Sequence, residues 1–130
     1  MRLLKRAYWY RPATILYMAL IFRSSSGPIG IETVEDMPDY LLHAAAYAVL
    51  YLLIFLSLHE GLRPMAGRGG RWLPFALTVL YGVIDEVHQY FVPGRHATVH
   101  DVAADAAGAL LALLAIAYRS RPGSGRSDRA

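Results

Sequence analysis

The chain contains no cysteine, which removes disulfides, thiolate metal sites and cysteine nucleophiles from consideration. Charge is also scarce: Asp, Glu, Lys and Arg make up 18% of 130 residues. It is missing altogether from long stretches. Residues 40–58 hold no Asp, Glu, Lys or Arg over 19 positions, enough apolar helix to cross a hydrocarbon core. No H-E-x-x-H or G-x-S-x-G spacing is present, so neither a zincin nor a nucleophile-elbow hydrolase is indicated. There is no internal repeat. The net charge of +3 does not indicate nucleic acid, because the basic residues collect at segment ends and not on one face.

What is present is apolar. Hydrophobic residues make up 55% of the chain and mean hydropathy is +0.31, high for a soluble domain of this length. Residues 72–92 and 99–118 match the length of the 40–58 stretch and are interrupted only by acidic, histidine and glutamine positions. Residues 12–22 are shorter. They suffice if Tyr8, Trp9 and Tyr10 lie at the interface and Arg11 snorkels outward. The expected fold is all-α, a four-helix transmembrane bundle in a lipid bilayer. A soluble helical bundle is the alternative. A cleaved signal peptide is the other reading of the N-terminus, but Arg23 interrupts the cleavage region and no A-x-A pattern follows.

Positive charge sets the expected orientation. Arg2, Lys5, Arg6 and Arg11 precede the first helix; Arg63, Arg68 and Arg71 separate the second from the third; Arg119, Arg121, Arg126 and Arg129 follow the fourth. The first loop has Arg23 against Glu32, Glu35, Asp36 and Asp39, and the third has Arg95. The positive-inside rule therefore puts both termini in the cytoplasm. The implied division is a basic N-terminus at 1–11, a four-helix membrane domain at 12–118 and a disordered cytoplasmic tail at 119–130.

Charge inside the spans marks the candidate site. A charged group at membrane depth costs about 2.5–3.5 kcal/mol even on lenient insertion scales, so it is rarely idle. Asp85 lies seven residues before Val92 and Asp105 six after Val99. At about 1.5 Å per residue both are roughly 10 Å below the outer surface. Glu86, His88, Asp101 and His43 are shallower, and Arg95 and Ser24, Ser25 and Ser26 lie at the same mouth.

At about 100° per residue, Tyr81, Asp85, Glu86, His88 and Gln89 share one side of the third helix. Asp101, Ala104, Asp105, Gly108, Ala112 and Ala115 make one stripe on the fourth, acidic outside and small inside. Asp39, His43 and Tyr47 follow at i, i+4, i+8 on the second. Asp85, Glu86, His88 and Asp105 are the candidate catalytic groups. Arg95, Asp101, Gln89, His43, Tyr47 and Asp39 are the candidate binding groups, with the Arg95 guanidinium expected to face the acids. Asp101 serves equally as a helix cap after Thr98, and His43 with Tyr47 equally as a hydrogen-bonded core pair.

The run Tyr81-Gly82-x-x-Asp85-Glu86-x-His88-Gln89-x-Phe91-Val92-Pro93-Gly94-Arg95, followed by Asp101-x-x-x-Asp105-x-x-Gly108, resembles the signature of the VanZ-like family. Asp39-x-x-x-His43-x-x-x-Tyr47 resembles that family's earlier motif, and the serine-rich turn with Pro28 fits as well. One position departs: Tyr40 stands where the family usually has lysine. The resemblance covers residues 12–118. It implies a small multi-pass protein of the bacterial plasma membrane, and the founding member is associated with resistance to teicoplanin. It implies no particular reaction.

Three functional classes follow. The first is an envelope protein whose outward-facing site binds or modifies a lipid-linked or cell-wall component, by general acid–base chemistry or through a divalent cation held by the acids and histidines. The second is a proton- or ion-coupled transporter, for which the inner half offers no continuing titratable groups. The third is an accessory protein whose polar groups lock the helices together.

Overall fold

A computed structural model describes residues 4–27, 38–59 and 68–120. Four helices account for nearly all of them: α1 (Leu4–Ser25), α2 (Asp39–Leu58), α3 (Trp72–Tyr90) and α4 (Val99–Arg119), with a 3-10 turn at Arg68–Arg71 before α3. There is no strand among the described residues. The all-α, four-helix expectation holds. The residues of the expected disordered tail beyond Ser120 lie outside the described residues, as do Glu32, Glu35 and Asp36 of the first loop.

Local chemistry fixes the helix ends. Pro38, with φ −57° and ψ 130°, precedes α2 in an extended conformation, and its carbonyl accepts the Leu41 amide at 2.9 Å. Pro74 lies in the first turn of α3, where its missing N–H breaks no intrahelical bond. α3 stops at Tyr90, two residues before the expected Val92, because Pro93 and Gly94 (φ +82°) turn the chain back. α1 starts at Leu4, well before Pro12. Pro12 removes only one amide from that helix.

α2 and α4 form the central and most extensive contact. α1 packs on α2, α3 packs on α4 and α2, and α1 meets α3 only narrowly. Gly108 is what brings α2 and α4 together: a Cβ there would collide with the backbone carbonyl of Ala44. The small-residue stripe on α4 thus works as expected at Gly108 and Ala112, both buried. Ala115 is exposed, which corrects its place in that stripe: the buried line turns to Ile116. Away from the acids the core is Tyr51, Phe55, Ala109, Ala112, Leu113 and Ile116, with Phe75 against it. A second cluster of Ile21, Tyr47, Leu50 and Ile54 joins α1 to α2.

The surface is inside-out relative to a water-soluble protein. Trp9, Ile15, Leu16, Leu20, Val49, Leu52, Leu77, Leu80, Ile84, Val87, Leu111 and Leu114 are all exposed, so every helix turns an apolar side outward. Asp85, Glu86, Gln89 and Asp105 are buried inside. A belt of this extent fits lipid as the surrounding solvent. By length and apolarity alone, α2 and α4 are the two described helices able to cross a membrane. The sequence suggested four. α1 carries its charges at both ends and α3 carries Asp85 and Glu86, and these lower their apolarity.

Candidate functional site

Asp85 is the best-bonded of the buried acids. It is 3% exposed, on α3, and its Oδ2 accepts from three side chains, two of them on other helices. The Ser25 hydroxyl at the end of α1 lies 2.7 Å away, its proton shared with the Ile21 carbonyl at 2.9 Å. The Gln89 amide one turn along α3 donates at 3.2 Å, and the Tyr47 hydroxyl from α2 at 3.4 Å. Asp85 therefore ties α1, α2 and α3 together. Its other oxygen, Oδ1, is buried with no hydrogen-bond partner.

Asp105, on α4, is 1% exposed and pairs with α2. His43 Nδ1 donates to its Oδ1 at 2.9 Å, the one salt bridge among the described residues if the ring is protonated. Its Oδ2 is again buried and unpartnered. That oxygen lies against Gly82 of α3: a Cβ at Gly82 would come within 2.7 Å of it and 3.1 Å of the Tyr47 ring. Gly82 is thus required for α3, α2 and α4 to meet at this level. The Tyr47 ring is parallel to His43, centroids 6.4 Å apart, and tilted against Tyr81 at the same separation. His43 and Tyr47 are stacked but not bonded to each other; each serves a different carboxylate.

The remaining expected site residues point elsewhere. Glu86 is buried, but its Oε1 accepts the backbone N–H of Thr98 and so pins the loop between α3 and α4. Its Oε2 is buried and unpartnered. Thr98 caps α4 and Asp101 holds the cap: the Thr98 hydroxyl accepts the Asp101 amide at 3.3 Å and donates to the Asp101 carboxylate at 2.6 Å. His88 donates to Ser26 Oγ at 3.0 Å, the Ser26 proton going to the Phe22 carbonyl at 2.7 Å, and its ring stacks on Phe22 at 4.2 Å. Asp39 is exposed in the first turn of α2, two turns before the buried Tyr47, and Tyr40 beside it is also exposed.

Arg95 requires the largest correction. It was expected to face the acids. Its Nη2 instead donates to the carbonyls of Ser24 and Gly27, where α1 ends. A cation there complements the negative end of the helix dipole and satisfies carbonyls that lack intrahelical partners. No salt bridge joins it to an acid among the described residues. Nor do any three described His, Asp or Glu side chains converge as a metal site would need.

Residues 13–119 match the VanZ/LLP1 family. The chain belongs to that family. The match begins part-way along α1, spans the whole of α2, α3 and α4, and contains every residue of the candidate site. No curated protein and no solved structure is similar to this VanZ/LLP1 member at the level of a reliable match.

Three features escaped the sequence reading. Gly82 was quoted within the motif without a role, although a glycine between apolar helical residues is itself a sign of close approach. Thr14 of α1 and Ser57 of α2 bond at 2.8 Å on the side away from the acids, a small polar pair with no distinguishing pattern. His59, just past α2, is buried, with Nδ1 on the Phe55 carbonyl and Nε2 unpartnered.

Proposed function

We propose that this VanZ/LLP1 protein crosses the bacterial plasma membrane four times and uses Asp85 and Asp105, at the outward-facing end of the bundle, to bind the polar group of a lipid-linked or cell-wall component. One observation carries this reading. Both carboxylates are almost wholly buried, both are held by hydrogen bonds through one oxygen, and both keep the other oxygen without a partner. A purely structural lock has no need of orphan acceptors in a low-dielectric interior, where each costs about 1–3 kcal/mol or more when charged. His43, held by Asp105, and Tyr47 and Gln89, held by Asp85, belong to the site. Glu86, Asp101, His88 and Arg95 shape its rim by fixing the loop and the end of α1. Glycopeptide resistance is the envelope phenotype in which such binding would be felt.

The reading of a structural lock draws support from Asp85 itself, which joins three helices. Asp85→Asn and Asp105→Asn separate the two. Each keeps shape and removes charge. Membrane abundance and teicoplanin susceptibility are measured together. Loss of phenotype at normal abundance supports a binding site. Failure of both variants to accumulate supports the lock, and normal abundance with normal phenotype removes the cluster from this role.

Orientation has its own test. The native chain has no cysteine, so Gly67→Cys and Glu32→Cys each introduce a single thiol. An impermeant reagent should label the second from outside and spare the first.

A further inference from the structure

Five of the ten acidic residues, Asp39, Asp85, Glu86, Asp101 and Asp105, lie at one end of the bundle, and Glu32, Glu35 and Asp36 precede Asp39 in the sequence. The cations available there are few. No Lys or Arg occurs between Arg23 and Arg63, between Arg71 and Arg95, or between Arg95 and Arg119. No Lys or Arg in the intervening loops can therefore complement the buried acids. Arg23 is exposed, and the described hydrogen bonds of Arg95 go to the Ser24 and Gly27 carbonyls. His43 remains, and it touches Asp105 through one nitrogen. Asp85, Glu86 and Asp105 thus carry one unpartnered, buried oxygen each, with at most one cationic partner among them.

An arrangement short of positive charge suits a cationic ligand. A phosphate brought to the same place would meet two carboxylates, while the Arg95 guanidinium is held by the Ser24 and Gly27 carbonyls through Nη2, its Nε buried and unpartnered, and like charges at such range repel strongly in a low dielectric. The orphan oxygens are acceptors, so they call for a group that donates hydrogen bonds as well as charge. The Tyr47 ring packs beside Asp105 Oδ2 over Gly82, with His43 and Tyr81 around it, and aromatic rings attract cations.

We infer that the site takes a primary ammonium group, carried by the amine-bearing end of its lipid-linked or cell-wall ligand. This rests on the binding reading above and specifies its chemical class. The ammonium protons would satisfy the free oxygens of Asp105 and Asp85, while Ser25, Gln89, Tyr47 and His43 hold the carboxylates in place.

The test uses the full chain in nanodiscs of phosphatidylcholine, with empty nanodiscs as the background. The probes are dodecylamine, dodecyltrimethylammonium, dodecyl phosphate and MgCl2. Dodecylamine should bind saturably and raise the unfolding temperature. It should bind about tenfold or more tightly than the quaternary analogue, which has charge but no N–H, since hydrogen bonds to charged groups are worth that much. Dodecyl phosphate should not compete. Asp105→Asn and Asp85→Asn should each weaken dodecylamine about tenfold; where a variant fails to fold, the comparison of primary with quaternary amine on the unaltered protein still decides. Free ethanolamine competing as well as phosphatidylethanolamine identifies a soluble amine as the source, and competition by the lipid alone identifies a headgroup. Saturable binding of Mg2+ without dodecylamine would overturn the inference in favour of a metal site. Binding of neither probe at pH 5 or pH 8 would overturn it in favour of carboxyls that hold their own protons. A lost resistance phenotype in the Asn variants without amine binding refutes this inference and leaves the binding role standing. Amine binding with an unaltered phenotype does the reverse.

Discussion

Around Asp85 and Asp105 the helices meet through hydrogen bonds, whereas around Phe55 and Ile116 they meet through apolar and small side chains. Among the described residues the apolar half joins Thr14 to Ser57 with both hydroxyls satisfied, and leaves one buried ring nitrogen, His59 Nε2, without a partner. The acidic half leaves three carboxylate oxygens unsatisfied. Lipid explains why both chemistries are used. Hydrocarbon tails are as apolar as leucine, so burial alone does not favour helix–helix over helix–lipid contact. Close packing and interhelical hydrogen bonds supply the preference. The apolar half uses the first and the acidic half the second. Only the acidic half leaves carboxylates, the groups most costly to bury, with unpartnered oxygens.

The sharpest break of that contrast is at the seam between the halves. Gly108→Leu places a side chain into the Ala44 carbonyl, where backbone and not a flexible side chain must give way. It should cost more than the about 1–3 kcal/mol of ordinary overpacking and abolish folded protein, read as monodisperse material after detergent extraction. Within the apolar half, Phe55→Ala removes a fully buried ring. We expect a loss of about 1–3 kcal/mol in reversible unfolding. That is below the range for water-soluble cores, because the unfolded helix keeps its apolar solvation in lipid.

Next in size is the rim of the acidic half. Thr98→Ala removes the cap of α4 and should cost about 1 kcal/mol, visible as faster amide exchange in the first turn with the rest of α4 unchanged. If Thr98→Ala also weakened ligand binding as much as Asp105→Asn does, the division between rim and site would be wrong. The smallest effect should come from Leu111→Ala, which is 66% exposed on the lipid side. It should change unfolding by no more than about 0.5 kcal/mol. A larger loss would mean that this face contacts protein and not lipid.

How far the site was legible in the sequence depended on the kind of information each residue needed. His43, Tyr47, Gln89, Asp85 and Asp105 were found from helical phase and depth, because a helix of known register fixes where a side chain leaves it. Arg95 was misjudged because it lies in a loop after Pro93 and Gly94, where no period predicts direction. Charge attraction suggested the acids; the open carbonyls at the end of α1 were nearer. Asp39 fell on the expected line of residues but at the first turn of α2, where it is exposed.

The sequence by itself determined the number of helices, their apolar character and the side of the bundle on which polar groups collect, because period, length and charge are local properties of a chain. It also determined the shortage of cations near the acids, which needs only a count. Tertiary structure alone decided which oxygen of each carboxylate is bonded and which is left free. It also decided that Glu86 and Asp101 serve the loop and that Gly82 admits Asp105 to α3. Apart from the local pairing of Thr98 with Asp101, those outcomes depend on contacts between residues about twelve to sixty positions apart, where small differences in helix approach choose among partners that all lie within hydrogen-bonding reach.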